Sequence, residues 1–340
     1  MPLLKDEIMR AMLLKAQKTP LVLEEVSKPI AKPDELLIKV HTCGVCRTDL
    51  HILDGDLTHP KLPLILGHEI VGTVEQMGKS VQGFHVGERI GIPWLGGCCG
   101  ACEFCKTRRE NLCEKAVYTG YQINGGFAEY ATCKAEFATA LPESLDDEHM
   151  APLLCAGLIG YRAYRMANAE KSLGLYGFGA AAHLLTQLAV FEGKEVYAFT
   201  QKGDIKKQTF AKELGAVWAG DSTDSPPVLL DAIIIFAPIG SLVPEALKHL
   251  KKGGRCICGG IHMSAIPSFP YQDLWGEKTI ASVTNLTRED AKEFFAAISR
   301  FPMKTKVHVY PLEEANTALD DLRAGKFEGA AVLRISESQN

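Results

Sequence analysis

Four cysteines lie within a run of fifteen residues, and their spacing restricts how that part of the chain can fold. Cys99, Cys102, Cys105 and Cys113 follow the pattern C-x2-C-x2-C-x7-C, which lets four thiolates surround one zinc ion in a closed tetrahedral site. The competing interpretations are a disulfide cluster and an iron–sulfur cluster. The opening run MPLLKDEIMR lacks the apolar core of a signal peptide, which favours a reducing compartment, and the cysteine spacing differs from ferredoxin patterns. The run therefore predicts a structural zinc site, which we call the four-cysteine lobe.

Length and composition narrow the class of protein. With 340 residues, 46% of them hydrophobic, and a net charge of −4, the chain is predicted to form two globular domains. The charge balance and the lack of long basic runs argue against nucleic acid as a partner. The most apolar stretch, 232–243, is too short to cross a bilayer and contains Pro238 and Gly240. We therefore expect a cytoplasmic protein that acts on small molecules, without nucleic-acid or membrane partners.

The pattern of apolar residues changes near residue 156. Before this point, short alternating runs such as LLIKVH (36–41) predict small strands joined by turns. After it, strand-like runs such as EVYAFT and AIIIFA alternate with helix-like segments, which is typical of a parallel sheet covered by helices. The tail returns to β-like content. The sequence thus predicts an α/β protein in which 1–155 and 297–340 form a β domain and 156–296 form a doubly wound domain.

The run GLYGFGAAAHLLTQLAV (174–190) carries a dinucleotide-binding pattern. Gly177, Gly179 and Ala182 stand in G-x-G-x-x-A register between a predicted strand and a predicted helix. The first glycine allows a tight turn, the second lets the backbone approach a pyrophosphate, and the small third residue allows close helix packing. The helix N-terminus attracts the anion. The strand–helix alternation around the run favours a cofactor site over an ordinary glycine turn.

The end of the next predicted strand bears on cofactor choice. An NAD site usually has an acidic residue there to bind the adenosine ribose, but this chain reads VYAFTQKGDIKK. Thr200 ends the strand, and Lys202, Lys206 and Lys207 follow, so a 2′-phosphate would meet cations rather than a carboxylate. The sequence therefore favours NADP over NAD, with Thr200 and Lys202 as cofactor-binding residues. Two alternatives stay open: the lysines form a solvated helix face, or Asp204 serves NAD.

Three other segments combine cysteine, histidine and acidic residues: CGVCRTDLH (43–51), GHEIVGTVEQMGKSV (67–81) and PLLCAGLIGYRA (152–163). With them the chain resembles, along essentially its whole length, the zinc-dependent alcohol dehydrogenases of the medium-chain dehydrogenase/reductase superfamily. The fixed positions of the family's zinc signature are all matched, as Gly67-His68-Glu69-x2-Gly72-x5-Gly78-x2-Val81. Within the superfamily the chain is most similar to bacterial members of the cinnamyl-alcohol-dehydrogenase-like branch. The resemblance implies a GroES-like β domain joined to a Rossmann-like domain.

The resemblance also implies two zinc ions per chain. Cys46, His68 and Cys155 match the ligands of the catalytic zinc, which leave a fourth position open for Lewis-acid chemistry. Glu69 matches a position that family members use as a transient ligand, and Asp49 matches a carboxylate that orients the zinc-bound histidine. The four-cysteine lobe matches the structural zinc site.

Further site residues follow from the same resemblance. Thr48 and His51 match the proton relay, in which an imidazole that titrates near neutral pH passes the alcohol proton to water. Arg47 matches a basic position that contacts the cofactor pyrophosphate, and Trp94 matches a wall of the alcohol pocket. The alternative for His51 is an ordinary surface histidine.

The implied function is reversible oxidation of a primary alcohol to an aldehyde by hydride transfer to NAD(P), with the alkoxide held at the catalytic zinc. The implied assembly is a homotetramer or a homodimer. One alternative is an enzyme whose physiological role is the reduction of aromatic, cinnamyl-type aldehydes. A second alternative is a non-catalytic regulator that binds zinc and dinucleotide. A pure binding module needs neither an open-sided metal nor a relay, so the intact set argues against it: Cys46, His68, Cys155, Thr48 and His51.

Overall fold

The structure is a computed structural model that describes residues 7–301 and 303–336. Its contacts group the chain into two compact units. The first unit runs up to Cys155 and also includes Thr287–Ser299 and the segment from Lys304 onward. The second unit comprises Ala156–Leu286 and Arg300–Met303.

The strands, in chain order, are β1 (Ile8–Leu14), β2 (Val22–Ser27), β3 (Glu35–Val45), β4 (Leu64–Ile65), β5 (Glu69–Met77), β6 (Arg89–Ile92), β7 (Leu95–Gly97), β8 (Val117–Tyr118), β9 (Tyr130–Lys134), β10 (Thr139–Ala140), β11 (Ser172–Tyr176), β12 (Glu195–Thr200), β13 (Trp218–Asp221), β14 (Leu230–Ile235), β15 (Leu250–Cys258), β16 (Thr279–Ser282), β17 (Val307–Pro311) and β18 (Ala330–Arg334). The α-helices are α1 (Arg47–Asp54), α2 (Glu103–Lys106), α3 (Asp147–Met150), α4 (Ala156–Ala167), α5 (Ala180–Phe191), α6 (Ile205–Glu213), α7 (Leu242–Lys248), α8 (Tyr271–Leu274), α9 (Arg288–Ile298) and α10 (Ala315–Ala324). Short 3₁₀ turns occupy Glu110–Leu112, Ala135–Phe137, Ala151–Leu154 and Leu312–Glu314.

The first unit is built around a seven-stranded sheet with the order β10-β6-β5-β3-β18-β17, to which β9 adds by pairing with β3. Strand β3 pairs with β5, β9 and β18, all antiparallel. Nearly all of its residues are buried, including the polar side chains of His41 and Thr42. Smaller sheets, β2-β1-β4 and β7-β8, complete the unit. The ends of β3 and β5 lie next to Cys46 and His68, two of the three predicted ligands of the catalytic zinc, so the central sheet fixes their backbone.

The second unit is a six-stranded parallel sheet with the order β13-β12-β11-β14-β15-β16. This order reverses at β11, as in dinucleotide-binding sheets, and the dinucleotide-binding turn follows the strand at the reversal. The predicted fold class, a GroES-like sheet domain with a Rossmann-like parallel sheet, is confirmed. The short strand β13 was not predicted, because its four residues are mostly half-buried and show no periodicity. No helix among the described residues is long and apolar enough to span a bilayer.

Candidate metal and dinucleotide sites

The structure brings together four side chains from three separate parts of the sequence: Cys46, His68 with Glu69, and Cys155. One ligand atom from each lies within 4.8 Å of the others, and we call this set the long-range group. Cys46 directly precedes α1, His68 and Glu69 stand at the start of β5, and Cys155 follows the 3₁₀ turn Ala151–Leu154. The sulfurs of Cys46 and Cys155 are 3.6 Å apart. This separation suits two ligands of one metal ion.

The burial of His68 tests whether the long-range group fits a metal. The residue is fully buried, and neither ring nitrogen has a hydrogen-bond partner among the described residues. An unpartnered buried nitrogen costs free energy unless another ligand satisfies it. Two cysteine sulfurs beside a free imidazole nitrogen form the donor set that zinc prefers in an open catalytic site. The residues present therefore fit zinc.

Asp49 holds the backbone of two candidate ligands in place. One of its oxygens accepts a hydrogen bond of 2.8 Å from the backbone N–H of Cys46, which caps the N-terminus of α1. The other accepts one of 3.2 Å from the N–H of Gly67 and lies 3.4 Å from Nδ1 of His68. This buried carboxylate thus fixes the start of α1 and the residue before His68. Such a contact can orient a metal-binding histidine.

Glu69 packs against Gly44, where any side chain would force Glu69 to move. It pairs with Gly44 across β3 and β5, and a Cβ at Gly44 would lie 1.8 Å from Glu69 Oε2. Burial and the nearby Cys46 sulfur raise the pKa of Glu69 well above its ordinary value.

The two predicted relay residues lie on α1, three positions apart, so their side chains share one face of that helix. Thr48 is buried, and its hydroxyl accepts a 3.7 Å hydrogen bond from the Cys46 sulfur. His51 keeps about a fifth of its side chain exposed, at 20%, and its Nδ1 donates a 2.8 Å hydrogen bond to Asp56. Arg47 is exposed at the first position of the helix. Helix α1 therefore leads from the buried sulfur of Cys46 to a histidine that reaches solvent.

Trp94 contacts the long-range group directly. Its ring meets that of His68 edge to face, with 4.8 Å between centroids. It also stacks with Tyr118 at 5.0 Å and with Tyr121 at 6.0 Å. The Tyr121 hydroxyl donates to the carbonyl of Thr58. The sequence analysis missed both tyrosines, because nothing in the run VYTGYQ marks them as neighbours of Trp94.

The four-cysteine lobe also gathers its sulfurs, again within 4.8 Å of one another. The Cys102 and Cys105 sulfurs are 3.5 Å apart, and those of Cys99 and Cys105 are 3.8 Å apart. Backbone N–H groups of Ala101 and Cys102 point at Cys99 and lower the pKa of its thiol to about 6. A thiol that ionises easily is a good metal ligand, so the lobe also fits zinc.

A buried carboxylate attaches the four-cysteine lobe to the rest of the first unit. Glu110, between Cys105 and Cys113, accepts hydrogen bonds from Arg288 through its backbone N–H at 2.9 Å and through Nε at 3.2 Å. Arg288 also donates to Glu136 at 2.7 Å. Burial alone would raise the pKa of Glu110, but the bonds from Arg288 lower it below its ordinary value. The start of α9 thus anchors the lobe.

In the second unit, the glycine run forms the turn between β11 and α5. Gly177 has φ of +87°, and a Cβ there would lie 2.8 Å from the backbone nitrogen of Ala237. Gly179 precedes the first turn of α5, and a Cβ at that position would meet open space. Ala182 is buried within the helix. A backbone approach at Gly179 beside a helix N-terminus fits a dinucleotide pyrophosphate.

The residues after β12 make contacts that their sequence does not indicate. Thr200 is buried, and its hydroxyl lies 3.3 Å from the carbonyl of Gly220. Asp221, at the end of β13, accepts a 2.9 Å hydrogen bond from the N–H of Gly203. Lys207 pairs with Asp204 at 2.9 Å, while Lys202 is exposed. Asp221 is a neighbour of this loop that the sequence analysis missed, since no local pattern connects the two strands.

Comparison with known proteins extends these observations to the whole chain. The family model for the alcohol dehydrogenase GroES-like domain matches residues 32–143. A Mycobacterium tuberculosis protein described as a probable alcohol dehydrogenase is 45% identical over 315 residues, which cover 90% of each chain. An alcohol dehydrogenase of Geobacillus stearothermophilus is 36% identical over 96% of this chain and 100% of its own length. A solved cinnamyl alcohol dehydrogenase from Sorghum bicolor has a TM-score of 0.87 at 25% identity, covering 98% of this chain and 100% of that one.

Proposed function

Because the chain belongs to the zinc-type alcohol dehydrogenases of the medium-chain dehydrogenase/reductase superfamily, we propose that it oxidises a primary alcohol reversibly to an aldehyde. The hydride acceptor in this proposal is a nicotinamide dinucleotide. The observation that carries the proposal is the cluster of Cys46, His68 and Cys155, in which two half-buried sulfurs lie beside a fully buried imidazole whose nitrogens have no hydrogen-bond partner among the described residues. An open-sided donor set of this kind serves catalysis rather than structure.

In the proposed mechanism, Cys46, His68 and Cys155 hold the catalytic zinc. When bound there, zinc supplies Lewis acidity, which lowers the pKa of an alcohol hydroxyl and polarises an aldehyde carbonyl. The Thr48 hydroxyl would take the proton of the alcohol while giving up its own proton towards His51, and His51, on the same helix face, would release one proton to solvent. The hydrogen bond from His51 Nδ1 to Asp56 orients the imidazole for that transfer. Trp94, stacked on two tyrosines, forms an apolar wall for the carbon chain of the alcohol.

The four-cysteine lobe holds a second, structural zinc in this proposal. Its four sulfurs would supply all the ligands of such a zinc and would leave no position for substrate. A chain with both sites filled would carry two zinc ions. Metal analysis of the purified protein tests this number, and a single zinc per chain would contradict it.

For the cofactor we favour NADP. Lys202 and Lys206 lie in the loop and first turn after β12, where a 2′-phosphate would be bound, and no acidic residue ends that strand. Gly177, Gly179 and Ala182 would bind the pyrophosphate, with Arg47 as a further cationic contact. Michaelis constants for the two cofactors test the preference, together with Lys202→Ala. A clear preference for NAD, unchanged in the variant, would overturn it.

A second candidate activity is the reduction of aromatic aldehydes. The stack of Trp94, Tyr118 and Tyr121 beside His68 favours it, because flat aromatic substrates gain offset stacking with such a wall.

A homotetramer or homodimer is the assembly that the family supports, and light scattering during size-exclusion chromatography tests it.

The decisive experiment follows the absorbance of the reduced cofactor with zinc-loaded protein. NAD and NADP are each offered with ethanol, butanol, benzyl alcohol and cinnamyl alcohol. We expect reduction of at least one cofactor, abolished by a chelator and by Cys46→Ser. No activity across the panel, in protein that carries two zinc ions and binds NADP, would instead support a non-catalytic regulator.

A further inference from the structure

A buried ionic network lies next to the segment that leads to Cys155. Asp147, the first residue of α3, accepts a 2.7 Å hydrogen bond from Nδ1 of His41 on β3. Its other oxygen accepts a 2.6 Å hydrogen bond from Nε of Arg89 on β6. The side chains of His41 and Asp147 are only 4% and 10% exposed. We call these three residues, His41, Arg89 and Asp147, the Asp147 clamp.

The Asp147 clamp holds backbone as well as side chains. The two terminal nitrogens of Arg89 donate to the carbonyls of Pro142 and Leu145, each at 2.9 Å. Thr42, next to His41 on β3, donates from its hydroxyl to the carbonyl of Asp147 at 3.0 Å. Two strands of the central sheet therefore hold the chain on both sides of the point where α3 begins.

A short segment, buried from Met150 to Leu154, connects the Asp147 clamp to Cys155. Helix α3 passes directly into the 3₁₀ turn Ala151–Leu154, and every residue from Met150 to Leu154 is buried. Leu154 packs so closely on β6 that a Cβ at Gly91 would lie 2.6 Å from its Cδ2. A displacement at Asp147 would have little room to be absorbed before it reached Cys155, because packed interiors transmit small shifts.

The hydrogen bonds of the Asp147 clamp indicate a role in fixing geometry, in addition to any contribution to stability. Burial alone would raise the pKa of Asp147, but the bonds from His41 and Arg89 lower it below its ordinary value. Buried ion pairs often add little net stability over an apolar replacement, whereas they fix geometry through several directed bonds. Of the three sulfur and nitrogen ligands in the long-range group, Cys155 alone lies outside 46–68, so its position depends on such contacts.

We propose that His41 and Arg89, acting through Asp147, are positioning residues that set the place of the Cys155 sulfur for the metal. The inference rests on the proposed role of Cys155 as a ligand. It assigns to this chain a support for the metal site that joins two strands of the sheet to the ligand segment, in addition to Asp49.

Cobalt substitution tests the proposal without reference to activity. Cobalt bound by four sulfurs and cobalt bound by two sulfurs and a nitrogen absorb differently, so the two sites are resolved in one spectrum. In Asp147→Asn we expect a shifted spectrum for the long-range group and about 10- to 100-fold faster metal loss to a chelator, while the lobe's signal stays unchanged. Asp146→Asn is the matched control, because Asp146 caps the same helix but stays outside the network.

A purely structural role would lower the melting temperature of Asp147→Asn and leave the cobalt spectrum of the folded protein unchanged, which would overturn the proposal. If Asp147→Asn fails to fold, Arg89→Lys replaces it. Lysine keeps the positive charge but lacks the fixed fork of donors with which Arg89 reaches its three acceptors, so we expect a smaller shift in the same direction.

Cys155→Ser separates failure of this inference from failure of the proposed function. If Cys155→Ser leaves the cobalt spectrum of the long-range group unchanged, the ligand assignment itself is wrong. If Cys155→Ser alters the spectrum but Asp147→Asn and Arg89→Lys do not, only the positioning role is wrong.

Discussion

The two candidate metal sites of this protein are built in different ways. The four-cysteine lobe takes all its ligands from one loop of fifteen residues around the short helix α2. The long-range group takes Cys46, His68 and Cys155 from three places around the central sheet, up to 109 residues apart. In the lobe the metal would organise the chain, whereas in the long-range group the folded chain organises the ligands.

The two sites also differ in the free energy needed to bring their ligands together. Closing a loop of a few residues costs little entropy, so the lobe can gain its metal and its fold in one step, as small zinc domains do. The long-range group depends on hydrogen bonds that exist only in the folded unit, such as those from Asp49 and the Asp147 clamp. We therefore expect loss of metal from the lobe to reduce stability and loss of metal from the long-range group to reduce activity.

The strongest test of this contrast compares Cys155→Ser with Cys102→Ser. In Cys155→Ser we expect turnover to fall about 1,000-fold, since the Lewis acid supplies several kcal/mol of stabilisation, with one metal ion retained and little change in melting temperature. In Cys102→Ser we expect the reverse: a lower melting temperature and near-normal turnover in the protein that stays folded. Steady-state kinetics, metal analysis and calorimetry measure turnover, metal content and melting temperature in both variants. Equal losses of activity and stability in the two variants would remove the distinction.

A second test asks whether a residue of helix α1, beside the long-range group, carries out the proton transfer. His51→Gln should slow turnover about 100-fold below mildly alkaline pH, with partial rescue by added amine bases. His85→Gln is the control, because His85 also pairs with a carboxylate, Glu88, at 3.0 Å but is 77% exposed. A pH–rate profile for His51→Gln that matches the wild-type profile would count against the relay.

A third test compares one glycine beside each site. At Gly44 a methyl group would lie 2.8 Å from the Glu69 Cδ and 2.9 Å from its Cβ, so Gly44→Ala should cost about 2–3 kcal/mol and displace Glu69. At Gly100 in the lobe a methyl group would meet nothing within 4 Å, and only the φ of +67° opposes it, at about 1 kcal/mol. Urea unfolding of both variants measures the difference. A larger cost at Gly100 would mean that the lobe is the more tightly packed region.

The same contrast explains what the sequence could and could not predict. Ligands that follow one another within a loop leave a readable spacing, so Cys99 to Cys113 suggested a metal from spacing alone. The alternation of strands and helices likewise predicted the parallel sheet, because its period is local. The long-range group was suggested only by resemblance to a family, since no spacing connects Cys46 with Cys155. Those residue roles stay predictions until the variants are measured.

Contacts that the fold creates left no signal in the sequence. His41 and Asp147 are 106 residues apart, and neither has a neighbour that marks it as charged and buried. The stacking of Trp94 with Tyr118 and Tyr121 is of the same kind, because it depends on how β7 and β8 pair. Asp221 lies next to the loop after β12 because β13, which ends at Asp221, pairs with β12, and β13 itself was not predicted. Such contacts need tertiary structure to be seen.

The smallest expected effect tests how the four-cysteine lobe is attached. Glu110→Gln keeps an oxygen for the N–H of Arg288 but removes the charge, which should cost about 1 kcal/mol at neutral pH. Since the folded protein lowers the pKa of Glu110, its charge stabilises the fold above the ordinary glutamate range, near pH 4.3, and this contribution is lost as the pH falls through the lowered value. The difference in melting temperature between wild type and variant should therefore be present at pH 7 and shrink in acid. A difference that stays constant in acid would mean that packing, rather than the ion pair with Arg288, joins the lobe to α9.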